Sequence, residues 1–126
     1  MPYARCRALI IEDDADASAA FQNMLALLGH SAVAVTTAAA GLALLRANTY
    51  DAVILDLVLP DDSGVTVLQE IRQRRLPVKV AVVTALYRGE QLPALTDLKP
   101  EAIFRKPVDA VALAGWVAAC AGERTT

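Results

Sequence analysis

Four points in the 126-residue sequence place a reactive side chain where an apolar run gives out. Glu12-Asp13-Asp14 follows Ala8-Leu9-Ile10-Ile11, and Asp56 follows Ala52-Val53-Ile54-Leu55. Thr84 follows Val82-Val83, and Lys106-Pro107 follows Ile103-Phe104-Arg105. Carboxylates brought together repel one another and shift towards protonation unless a cation holds them. A hard divalent ion with oxygen ligands, Mg²⁺ above all or Mn²⁺, resolves that conflict. A carboxylate nucleophile beside such an ion, a hydroxyl and an ammonium is a set suited to phosphoryl transfer. Singly, each residue also has a plainer reading. Asp56 could cap a turn, Thr84 could be an ordinary strand residue, and Lys106 could be a solvated charge. Asp14 suits a helix N-terminus as well as a metal, and Asp61 and Asp62 read most simply as loop residues.

The convergence depends on elements that deliver these residues to one place. Residues 8–11, 32–36, 51–55, 78–83 and 102–104 read as strands, and 16–28, 38–47, 89–98 and 109–121 as helices. Ser63 caps a further helix carrying Val67, Leu68 and Ile71, and Gly29 stops the first one. The helix over 89–98 is the weakest, because Pro93 interrupts it. Five strands alternating with five helices predict a parallel sheet covered on both faces. The short connections favour an open doubly wound α/β sheet of flavodoxin-like (βα)5 type, strand order 2-1-3-4-5. In such a sheet ligands bind beyond the carboxyl ends of the strands, which is where all four features fall. One domain over 1–126 is expected, with its core at about 6–121 and a frayed tail at 122–126.

The bulk properties exclude several classes. The chain is 56% hydrophobic with a mean hydropathy of +0.40. Its longest uncharged stretch, residues 17–45, is Ala-rich, periodic and broken by polar residues, so it is not a membrane span. The sequence opens with no signal-peptide pattern, and the expected location is cytoplasmic. A net charge of −2 gives no case for direct nucleic-acid binding. Arg72, Arg74 and Arg75 suit the end of a helix, where cations complement the dipole. Cys6 and Cys120 are too few and too distant for a zinc site and read as reduced thiols in or near the core. His30, beside Gly29, has a capping or loop role.

The Glu-Asp-Asp triplet, the Asp-Leu-Val-Leu-Pro-Asp-Asp-Ser-Gly run at 56–64, Val-Thr-Ala at 83–85 and Lys-Pro at 106–107 stand in order across nearly the whole chain. Together they resemble the response-regulator receiver domain of two-component signalling. The resemblance implies Asp56 as phospho-acceptor, Asp13 as a direct Mg²⁺ ligand and Glu12 as one acting through a metal-bound water. It implies the backbone carbonyl of Val58 as the last protein ligand, with Thr84 and Lys106 on phosphoryl oxygens. Ala85 leaves the site open, Pro60 and Gly64 shape the loop behind Asp56, and the peptide before Pro107 is cis. The implied partners are a histidine kinase or histidine phosphotransfer protein, and a downstream protein read through the helix-4, strand-5, helix-5 face. The implied role is a switch, not an enzyme. A sequence that opens with Met and ends after the fifth helix suggests a stand-alone receiver. A receiver taken from a longer regulator or hybrid kinase is the alternative.

The sequence departs from the family in three respects. The family usually carries an aromatic three residues before its Lys, where this chain has Ile103; Phe104 points to the other face by strand alternation. The two positions that tune hydrolysis are Val58 and Leu86, both apolar, which predicts slow self-dephosphorylation. The last helix has no charge after Asp109, so its outer face offers small apolar residues to a partner or a homodimer, or is an inert Ala-rich surface. Other classes fit less well. A phosphatase of the haloacid dehalogenase kind needs an acid at position 58. A flavin module needs a Gly-, Ser- or Thr-rich phosphate loop after the first strand. A degenerate receiver acting only by interaction stays open because of Ile103.

Overall fold

The computed structural model describes residues 5–85 and 92–123. Its strands are β1 (Arg7–Ile11), β2 (Ser31–Val35), β3 (Ala52–Asp56), β4 (Lys79–Thr84) and β5 (Ala102–Arg105). The helices are α1 (Ala15–Leu27), α2 (Ala38–Ala47), α3 (Gly64–Gln73), α4 (Leu92–Leu98) and α5 (Ala110–Glu123). All neighbouring strands pair in parallel, in the order β2-β1-β3-β4-β5. This is the expected flavodoxin-like sheet.

Alternation along the central strands divides the core in two. Leu9, Ile11, Val53, Leu55, Val80 and Val82 pack with α2, α3 and α4 through Leu45, Leu68, Ile71 and Leu95. Ala8, Ile10, Ala52, Ile54, Ala81 and Val83 face α1 and α5, meeting Phe21, Leu25, Leu113 and Val117. Each large aliphatic side chain buried there contributes about 1.5–3 kcal/mol, so β1, β3 and β4 are a stiff base for whatever follows their last residues. Cys6 and Cys120 are buried in the second of these clusters.

Helix starts are fixed by side chains that accept orphan amides. Asp14 caps α1 through the amides of Asp16 and Ala17, Thr37 caps α2 through Ala40, and Ser63 caps α3 through Val65. Asp109 accepts from the amides of Val111 and Ala112 at the start of α5. Gly29, with φ of +85°, ends α1, a left-handed conformation that glycine adopts without a steric penalty. His30 is a loop residue whose Nδ1 accepts the amide of Cys6 at 2.9 Å.

Four expectations need correction. Pro93 does not interrupt α4 but lies in its first turn, where the missing N–H costs nothing; residues 89–91 lie outside the described ones. Asp61 is not a passive loop residue: its carboxylate accepts the amides of Ala38 at 2.9 Å and Ala39 at 3.0 Å, tying the loop after β3 to the start of α2. Arg72 does more than solvate a helix end. It donates to the carbonyls of Leu98 and Lys99 and pairs with Glu101 at 3.1 Å, fastening α3 to the turn between α4 and β5. Finally, α5 runs to Glu123, two residues beyond its expected end. Of the expected frayed tail, residues 124–126 lie outside the described ones. No helix among the described residues is long and apolar enough to cross a membrane.

Candidate functional site

The parallel register carries the ends of β1, β3 and β4 to one edge of the sheet. Ile11 pairs with Leu55, and Asp56 pairs with Val83, so Glu12, Asp56 and Thr84 emerge side by side. Thr84 in turn pairs with Arg105, and the amide of Lys106 donates to the Thr84 carbonyl at 2.9 Å, which brings the Lys-Pro pair to the same edge. The Lys106–Pro107 peptide is cis.

Glu12, Asp56 and Thr84 are buried, whereas Asp13 is exposed. One carboxylate oxygen from each of Glu12, Asp13 and Asp56 lies within 4.8 Å of the others, a spacing that a single divalent ion can span. Lys106 Nζ stands 2.7 Å from Glu12 Oε1 and 2.9 Å from Asp56 Oδ2. The second contact is an aligned hydrogen bond; the first is an ion pair by distance that lacks hydrogen-bond alignment, leaving Glu12 Oε1 buried without a donor. One ammonium thus faces two buried carboxylates and a third beside them. Burial, reinforced by the neighbouring Asp56, pushes the Glu12 carboxyl up to about 6 despite Lys106 and the Asp14 amide. Burial alone would lower the Lys106 ammonium, but Glu12 and Asp56 outweigh it and raise it above the ordinary lysine range. Among the described residues the donor set is oxygen-only and its negative charge exceeds the charge of Lys106, so these residues fit a hard divalent cation.

The loop after β3 holds Asp56 in place. The amide of Val58 donates to Asp56 Oδ1 at 3.0 Å, and Gly64 donates its amide to the Leu57 carbonyl at 2.8 Å. A Cβ on Gly64 would overlap the Asp56 carbonyl oxygen and press on Leu57, so the loop closes this tightly only with glycine there. Val58 itself is 52% exposed, with an apolar side chain next to Asp56. Ala85 is small and exposed beside the edge, and Leu86 lies outside the described residues. Ile103 is 52% exposed, while Phe104 turns inward against the α1–α5 side of the core, as alternation predicts. The site side of β5 therefore carries no aromatic ring at 103. On α5, Leu113, Val117 and Cys120 are buried with Trp116 packed against them, and Val111 is largely exposed.

Glu12, Asp13, Asp56, Thr84 and Lys106, the residues singled out from the sequence, lie at this one edge of the sheet; sequence reasoning did not anticipate the link from Asp61 to α2, which spans 23 positions and leaves no local pattern.

The chain is similar to known proteins over most of its length. A family profile, the response regulator receiver domain, matches residues 8–118. The transcriptional regulatory protein DltR of Streptococcus agalactiae is 31% identical over 104 residues, covering 82% of this chain and 46% of DltR. The chain therefore spans less than half the length of that relative. Among solved structures, a receiver domain protein described as CheY-like from Methanospirillum hungatei superposes with a TM-score of 0.88 at 24% identity, covering 96% of this chain and 97% of that one. A sensor protein from Polaromonas superposes with a TM-score of 0.83 at 30% identity, covering 94% and 98%. The edge of carboxylates, hydroxyl and lysine, the 2-1-3-4-5 sheet and the match over residues 8–118 agree: this chain belongs to the response regulator receiver domain family of two-component signalling.

Proposed function

We propose that the chain accepts a phosphoryl group on Asp56 in a metal-dependent reaction and acts as a signalling switch. The observation that carries this reading is the pairing of one buried nucleophilic carboxylate with a single ammonium, Asp56 Oδ2 to Lys106 Nζ at 2.9 Å, inside an oxygen cluster short of positive charge. Glu12, Asp13, Asp56 and the backbone carbonyl of Val58 would hold Mg²⁺. When bound, the ion neutralises charge on the phosphoryl oxygens and on the acids around them.

The residues divide the remaining work. A carboxylate oxygen of Asp56 attacks phosphorus in line with the bond to the donor, a phosphohistidine nitrogen in a kinase or phosphotransfer protein. The P–N bond breaks as the P–O bond forms, and the imidazole leaves with a proton from solvent. The Val58 amide, which meets Asp56 Oδ1, orients the carboxylate. Lys106 exchanges a carboxylate partner for a phosphoryl oxygen, keeping its charge at the place where negative charge arrives. The Thr84 hydroxyl, at the end of β4, bonds another of those oxygens. Water is not directed at the acyl phosphate by Val58, whose side chain has no polar atom, so the phosphorylated form is long-lived.

The signal is read by a protein partner in the cytoplasm through the α4–β5–α5 face, where Ile103 and Val111 are exposed. The exposed Ile103 favours a readout in which no aromatic ring is buried. Acetyl phosphate with Mg²⁺ should retard the chain on a phosphate-affinity gel, and EDTA or Lys106→Ala should abolish the retardation. Equal retardation in EDTA would remove the metal from the mechanism.

A further inference from the structure

The end of the sheet opposite Asp56 gathers several arginines, alongside Asp51, Glu70 and Glu101. Around the carboxyl edge stand Glu12, Asp13, Asp14, Asp56, Asp61 and Asp62, with Lys106 among them. At the amino edge, an open cavity of about 490 Å³ lies between the start of β1, the end of α2 and the end of α3. It is lined by Arg7, Arg46 and Arg74, with Asn48 and Thr49 between them and no carboxylate in the lining. Three guanidinium groups are thus gathered at one cavity of a chain whose net charge is −2.

The local acids only partly offset them. Glu70 is shared: Arg46 donates to it through Nε at 3.1 Å and Nη2 at 2.7 Å, and Arg74 through Nη1 at 3.3 Å. Asp51 accepts the backbone amide of Arg7 at 2.7 Å. The Arg7 guanidinium lies over the Tyr50 ring, 4.9 Å from its centroid, and has no carboxylate partner among the described residues. Stacking on a buried ring limits its rotamers and leaves its edge N–H groups to the cavity. Guanidinium carries five N–H donors, so Arg46 and Arg74 also keep donors beyond those that Glu70 uses. Next to the cations, a small apolar pit of about 50 Å³ shares Leu45, Asn48, Thr49 and Leu76 with the larger cavity.

We propose that this cavity is a second, anion-binding site, and that it takes a small phosphate monoester with an apolar or planar body. Planar guanidinium forks match phosphate oxygens in pairs, and a monoester carries about −1.5 to −2 charges at neutral pH. The volume falls within the ~300–1,000 Å³ typical of small-molecule sites, and the apolar pit gives the ester's body a place to lie. The site stands apart from Asp56 and does not depend on phosphorylation there.

Amide shifts recorded in EDTA with adenosine monophosphate as probe test the proposal, with adenosine and inorganic phosphate as the other arms. EDTA removes divalent ions that could draw phosphate to the Asp56 edge. The nucleotide should give saturable shifts at Ala47, Asn48, Thr49 and Leu76 and none at Leu57 or Val58. Adenosine should give none, and inorganic phosphate should shift the same residues at least tenfold more weakly. Arg7→Gln and, separately, Arg74→Gln should each weaken the nucleotide at least tenfold while the other amide positions stay put. No saturation by ~10 mM, where even a 1 mM site would be about nine-tenths full, would overturn the proposal. Shifts of equal size in the arginine variants would overturn it too, as would equal binding of phosphate and nucleotide, which would leave the apolar pit without a role.

Discussion

Removing the buried charge at Glu12 should stabilise the metal-free protein, although it deletes a group of the functional site. Glu12 is buried, with Asp56 beside it, and its carboxyl is pushed up to about 6 from an ordinary 4.5. A raised acid favours its protonated form in the folded state. Its contribution to stability is therefore fully present below pH 4.5 and lost as pH rises through 6. The move from 4.5 to about 6 corresponds to about 2 kcal/mol of cost at neutral pH, and to about 1 kcal/mol after allowance for solvent screening at the side where Asp13 is exposed. Glu12→Gln keeps the shape and removes the titration. In EDTA at pH 7.5 the variant should be more stable than wild type by about 1–2 kcal/mol, a rise of about 3–8 °C in Tm. At pH 4.5 the two should nearly coincide. Adding Mg²⁺ should reverse the order at pH 7.5, because the metal then stabilises the wild type by mass action. Urea unfolding followed by Trp116 fluorescence measures all three conditions. A variant less stable than wild type in EDTA at pH 7.5 would show that the Lys106 ion pair outweighs the burial of Glu12, and would refute the reasoning.

Three further outcomes follow from the geometry. Gly64→Ala should cost about 2 kcal/mol or more in urea unfolding, since the added Cβ meets the backbone of Asp56 and Leu57, which cannot move aside as a side chain could; a change within about 0.5 kcal/mol would show that the loop gives way freely. His30 accepts the Cys6 amide, and burial lowers its pKa below 6.5, so its contribution is present above pH 6.5 and lost as pH falls through the folded value. His30→Gln should flatten that acid limb, opposite in sign to the Glu12 effect; an unchanged limb would contradict the role. Val58→Asn should shorten the lifetime of the acyl phosphate by bringing a polar group to its rim, and a wild-type lifetime of seconds would sink the idea that Val58 and Leu86 protect it.

The site was legible because each of its members ends a run whose meaning is local. Four apolar residues before Asp56, or before Glu12, specify a strand buried on both faces, and the next residue must then emerge at the sheet's edge. Parallel pairing brings those ends together without further instruction, and so the order of motifs along the chain carries the site. The parts that were not legible depend on contacts across space. Asp61 caps a helix that precedes it by 23 positions, and Arg72 reaches the turn at 98–101, from 26 to 29 positions away. Neither spacing leaves a periodic trace. Pro93 was misread for a different reason: proline both breaks a helix and begins one, and only the position of the first turn decides which. The basal arginines are scattered at 7, 46 and 74, and only the packing of α2 against β1 and of α3 against α2 gathers them around one cavity.

The phospho-acceptor assignment is tested most directly by the intact mass of the chain after incubation with Mg²⁺ and acetyl phosphate, for wild type and Asp56→Asn. A gain of one phosphoryl group, ~80 Da, in the wild type alone is the predicted result. An equal gain in Asp56→Asn would move the acceptor to another residue. No gain in either, with a phosphohistidine donor also failing, would contradict the switch and leave an interaction module.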